Sequence, residues 1–173
     1  MTRQPQIRHS LLLLVVALTF SVACGSDEPI TPKEFCEIAP ARFLTVSIEF
    51  DDIVATTDSV NRLNVTQTTQ KLEQSSVRLN NLAFDLSAVP TNIQPSDGDS
   101  ETYAEFAERF DDHTVKMIVA STSMKGSIRR YRDGWDVDDF NRFVGSLAEV
   151  HDNAIGAYNN MAGICALAGV PIE

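Results

Sequence analysis

The sequence predicts an all-α protein, an up-down-up-down four-helix bundle closed by one disulfide. Three observations carry that expectation. Apolar residues recur every three to four positions in four long blocks, and no block alternates every second residue as a half-buried strand would. The blocks are separated by short breaks rich in helix start and stop residues. A cysteine lies near each end of the helical part, at Cys36 and Cys165.

A stretch of a different kind precedes the first block. Arg3 and Arg8 lead into residues 11–23, apolar except for Thr19 and Ser21. Thirteen residues, at about 1.5 Å each, cannot cross a hydrocarbon core of roughly 30 Å. Residues 1–23 therefore read as a secretory signal peptide. It ends on Ser21-Val22-Ala23-Cys24, followed by Gly25, Ser26 and Asp27. This run resembles the lipobox of bacterial lipoproteins, with Ser21 standing where that family usually has leucine. The resemblance implies that Cys24 is acylated, palmitate being one such chain, and becomes the first mature residue. Two chains on one residue give stable anchoring, here to the extracytoplasmic face of the cell membrane. Residues 24–30 form a polar tether, and residues 31–173 form the helical domain.

Thr31-Pro32-Lys33-Glu34 is a helix start. Thr31 caps the free amides, Pro32 suits the first turn and Glu34 completes a capping box. The first segment carries Phe43, Val46, Phe50 and Ile53 or Val54, with Pro40 expected to kink or split it. After a turn at 58–61, Val65, Leu72, Leu79 and Leu86 repeat every seven residues, and Pro90 stops the second segment. "PTNIQPSDGDS" is the one long loop. The third segment starts after Asp99 or Ser100. Its line is Tyr103, Phe106, Phe110, His113, Met117, Ala120, Met124, Ile128 and Tyr131, ending at Asp133-Gly134. Asp136 or Asp138 caps the fourth. Phe140, Val144, Leu147, His151, Ala154, Tyr158, Met161 and Cys165 lie on one line before Gly169 and Pro171.

Short connections make consecutive helices antiparallel, so the first helix begins where the fourth ends. Cys36 is then matched with Cys165, not with Cys24, and an oxidising compartment favours the bond. With a cysteine near each end, the mature part is similar to small helical lipoproteins of actinobacteria. That resemblance implies an architecture and no activity.

Charge excludes one class of partner. The chain has 14 basic and 24 acidic residues, a net charge of −10. Removing residues 1–23 takes Arg3 and Arg8 but no acid, leaving 12 against 24, or −12. Such a surface does not suit nucleic acid. His113 and His151 fall on apolar lines with Asp112, Glu149 and Asp152 close in sequence, which makes them the metal or small-ligand candidates. The Glu-x-x-His spacing of carboxylate-bridged bundles is absent, since Phe110 and Ala148 stand three before them. Histidines hydrogen-bonded at the core boundary are the simpler reading. Asp111, Asp112 and His113 fan around a helix instead of converging, and Thr66, Thr68, Thr69, Ser75 and Ser76 have no nucleophile motif around them. No catalytic activity and no cofactor are expected.

The tip "KGSIRRYRDGWDVDDF" remains. Arg129, Arg130 and Arg132 close one helix and acids open the next, as helix dipoles favour. Trp135 sits between them, either as a lid on the bundle or as an exposed anchor beside the arginines. The expected function is recognition of a protein or envelope component near the membrane, through Trp135, Arg129, Arg130 and Arg132. The alternative is a small-ligand or metal carrier using the interior near His113 and His151.

Overall fold

The computed structural model describes residues 28–60, 65–95, 100–134 and 136–172. Cys24 and Trp135 lie outside the described residues. Four helices form a bundle: α1 (Pro32–Asp58), α2 (Val65–Ser87), α3 (Ser100–Gly134) and α4 (Val137–Leu167), with no strand among the described residues.

Caps set where the outer helices begin and end. The Thr31 side chain accepts from the Glu34 amide at 3.2 Å, and the Thr31 amide donates to the Glu34 carboxylate at 2.8 Å. The Thr31 amide, and then the Thr31 hydroxyl donating to the same carboxylate, hold the Glu34 carboxyl below the ordinary range. At the other end, Gly169 takes a φ of 69°. Its amide donates to Ala166 at 3.1 Å and that of Val170 to Cys165 at 2.9 Å, a Schellman closure. Pro40 neither ends nor splits α1, which runs unbroken through it. A proline there removes one ladder bond. Side chains are buried on both sides of it, Phe35, Cys36 and Ala39 before and Val46 and Ile53 after, and this packing holds the two parts in one helix.

Each helix packs on two neighbours, and contacts advance along one helix as they retreat along the next. From α1 to α2, Glu49 pairs with Arg78 at 2.9 Å and Asp52 with Lys71 at 3.2 Å. From α2 to α3, Glu73 pairs with Arg129 at 2.6 Å, and Asn80 donates to Ser121 at 2.8 Å. From α3 to α4, Arg130 meets Asp139 at 2.8 Å and His113 meets Asn153 at 3.1 Å. From α1 to α4, Cys36 is bonded to Cys165 with Cα atoms 5.6 Å apart. Phe43 then meets Tyr158 at 5.5 Å and Phe50 meets His151 at 5.7 Å. Those last three contacts step by seven residues, forward on α1 and backward on α4.

The core centres on Phe35, Phe110 and Phe143 with Leu72, Leu79, Met117 and Met124 around them. Phe35 and Phe110 meet edge to face at 5.3 Å. Between α2 and α3 the core turns polar and small. Ser76 and Thr69 donate to carbonyls of their own helix, so they are buried without a loose hydroxyl. Asn80 uses both ends of its amide, donating to Ser121 and accepting from Lys125 at 3.4 Å.

Two differences from the sequence expectation stand out. Ile30, expected in the tether, is part of the fold. Its amide donates to Asn92 at 3.0 Å, and its carbonyl accepts from Gln94 at 2.9 Å. On α4 the fully buried line is Phe143, Val150, Ala157 and Ile164, while Val144, His151 and Tyr158 stay exposed. The apolar arc of α4 is wider than one core face, and the deeper part of it turns toward α3.

Replacing Cys36→Ser together with Cys165→Ser is expected to keep the helical circular-dichroism signal. In urea unfolding it should cost on the order of 4–5 kcal/mol, because the bond closes a loop of 129 residues. A loss below about 1 kcal/mol would mean that the caps and the Phe35 packing already hold that end without it.

Candidate functional site

α4 presents two unlike faces to its neighbours. Toward α3 it carries Gly156 and Gly163, seven residues apart. A Cβ at Gly156 would lie 2.4 Å from the His113 ring, and one at Gly163 would lie 2.7 Å from the Phe106 ring. Rings from α3 therefore settle on bare backbone. Toward α1, α4 carries Tyr158 and His151, which meet rings from Phe43 and Phe50. Ring on ring needs more room than ring on glycine. α4 accordingly packs closer on α3 than on α1.

The gap is a half-open groove of about 640 Å³. Phe43, Phe50 and Val54 line it from α1; Val144, Ile155 and Tyr158 line it from α4. Ser47, Asp51 and His151 are its polar residues, and no lysine or arginine lines it. Asp51 is exposed and makes no hydrogen bond or ion pair among the described residues. His151 stacks on Phe50 with its ring planes 28° apart, and its Nδ1 lies 3.4 Å from Asp152. Chemically the groove is an apolar surface with an acidic edge. It offers shape and burial to a binding partner, and no nucleophile paired with a base.

The two candidate histidines sit in different interfaces. His113 lies between α3 and α4, over Gly156 and hydrogen-bonded to Asn153. His151 lies on the α1 side of α4, in the groove. Among the described residues, no three His, Cys, Asp or Glu side chains come together to hold a metal.

The arginines of the tip have partners inside the fold. Arg129 and Arg132 both pair with Glu73 of α2. Arg130 and Arg142 converge on Asp139, at 2.8 and 2.7 Å. Asp139 is buried, and the hydrogen bonds from Arg130 and then Arg142 hold its carboxyl below the ordinary aspartate range. This cluster ties α3 to α2 and to α4, with two arginines on each carboxylate.

The sequence reading missed the groove, although it named most of the lining residues as core. The available signal was apolar width: Leu44 and Ile48 extend the apolar arc of α1, and Ile155 that of α4, beyond what one neighbour can cover. Comparison of the chain with protein-family models, with curated proteins and with solved structures finds no match.

Two measurements test this arrangement. Gly156→Ala is expected to destabilise by about 1–3 kcal/mol through the clash with His113, despite the better helix propensity of alanine. In the double variant with His113→Ala the two losses should fall short of additive by at least about 1 kcal/mol in urea unfolding. Strict additivity would mean that the His113 ring does not rest on Gly156. The Asp139 clamp, in turn, gives stability that is present above about pH 4 and is lost as pH falls through the depressed folded value. Asp139→Asn should lower the melting temperature by several degrees at pH 7, and the gap to wild type should close toward about pH 2. A gap constant across that range would show that the carboxylate charge is not what holds the turn.

Proposed function

We propose that the protein is an extracytoplasmic lipoprotein, anchored at Cys24, whose up-down-up-down four-helix bundle recognises a protein or envelope component. In this reading the groove between α1 and α4 is the recognition surface, and catalysis plays no part. The observation that carries it is the groove itself: a long apolar surface with no covering element among the described residues. The four sets of interhelical contacts, each stepping in opposite directions along its two helices, support the up-down order. The lipobox resemblance at Ser21-Val22-Ala23-Cys24 supports the anchor. No described helix is long and apolar enough to cross a membrane.

The hydrogen bonds of Ile30 shorten the tether. Only residues 25–29 would separate an acylated Cys24 from the folded body, at most about 18 Å of chain. The pole with Cys36 and Cys165 then faces the bilayer, and the groove opens sideways from the bundle. In this reading the ion pairs of Arg129, Arg130 and Arg132 serve to hold α3 on α2 and α4.

Both parts of the reading can be tested in cells. Cys24→Ala should remove the acyl mass from the N-terminus and move the protein out of the detergent phase on partitioning. A photo-crosslinking residue at Ile48, exposed on α1 next to the groove-lining Ser47, should give a discrete adduct in the native envelope. The same residue at Val119, exposed on α3, should not. Equal adducts from both positions, or none from Ile48, would remove the groove from consideration.

A further inference from the structure

The groove is broader than its floor. Val144, Ile155 and Tyr158, which line it on α4, are 40 %, 48 % and 41 % exposed, and beyond the lining on α1 the apolar surface continues over Leu44 and Ile48. One acyl chain laid along the floor would leave these rims in water. An α-helix, about 10 Å across with its side chains, brings an apolar face broad enough to meet walls from both helices. The floor also repeats as a helix would need: Phe43 and Phe50 on one wall, and His151 and Tyr158 on the other, are each seven residues apart.

Charge narrows the choice further. Asp51 adjoins Phe50 on the α1 rim, and Asp152 adjoins His151 on α4, so each side carries a carboxylate near the Phe50–His151 stack. No basic side chain lines the groove to offset them. A second copy of this chain, itself at −10, would bring the same acidic rims together. We propose that the groove takes one amphipathic helix of a partner, with an apolar stripe flanked on both sides by lysine or arginine. This rests on the groove being the recognition surface and adds the shape and the sign of what it recognises.

The test uses the Cys24→Ala protein, otherwise full length, in solution. The probe is a helical peptide of leucine and lysine, roughly 18 residues long so as to span the groove. Its leucine–glutamate counterpart and palmitate serve as competing ligands. The lysine peptide should bind saturably, one per chain. Ile155→Asp should weaken it about tenfold or more, and so should Asp51→Lys combined with Asp152→Lys, with no change in melting temperature. Equal binding of the glutamate peptide, or no effect of the charge reversal, overturns the basic-helix assignment. In that case the groove reading survives if Ile155→Asp still weakens the peptides. Palmitate binding that is lost in Ile155→Asp, without peptide binding, overturns the helix in favour of a lipid. A dimer in sedimentation that dissociates with Ile48→Asp overturns it in favour of a second copy. If no ligand responds to Ile155→Asp, both the helix and the groove fall.

Discussion

The register between α1 and α4 is the constraint from which the rest of the molecule follows. It is covalent at one end, where Cys36 meets Cys165, and it continues by seven-residue steps through Phe43–Tyr158 and Phe50–His151. Two local motifs fix the helix ends from which that register is counted. The capping box at Thr31 fixes where α1 begins, and the Schellman closure at Gly169 fixes where α4 ends. Each cysteine therefore sits at a defined distance from its helix end. The same register places large rings opposite one another and props the two helices apart. The groove is thus a consequence of side-chain size at a few positions, not of a loop or a missing element.

The other side of α4 uses the opposite device. Gly156 and Gly163 admit His113 and Phe106 almost onto the backbone, so α3 and α4 approach closely and share the deepest core. Most polar groups inside the bundle are answered locally, the buried Thr56 hydroxyl being the exception among the described residues. Asn80 bridges α2 to α3, and Asp139 gathers two arginines at the α3–α4 turn. Such satisfaction matters more than the strength of any one bond, because an unanswered buried polar group costs far more than a made bond returns. It also explains why a basic cluster in an acidic protein need not mark a binding site.

Helix number, order and approximate ends were legible because periodicity, caps and breakers agree at those places. Thr31 to Glu34, the seven-residue leucines of α2 and the Asp133–Gly134 stop all say the same thing. The Cys36–Cys165 pairing was legible too, as a matter of which ends meet. Depth was less so. Val144, His151 and Tyr158 read as core because α4 is apolar on two adjacent faces, and periodicity cannot say which face has the better-fitting neighbour. That choice is made by Gly156 and Gly163, whose meaning depends on the rings opposite them. Small inward residues such as Ala107, Thr114 and Ser121 were passed over for the same reason: they are buried through the shape of α2 and α4. At Pro40 a kink or a split was expected, and the split does not occur, because α1 buries side chains on both sides of it.

The disulfide has a mechanical meaning as well. Residues 36–165 form a single covalent ring, and the strands of chain that enter and leave it do so at the bonded pair. Tension applied between the segment before Ile30 and the segment beyond Val170 crosses from Cys36 to Cys165 directly. The ring between them carries none of it. Only the first turn of α1, the Ile30 pairing with the α2–α3 loop and the last turn of α4 lie in the loaded path. A pull between the two ends of the chain would thus leave the helices, and the groove between them, unloaded, where the same chain without the bond would unravel.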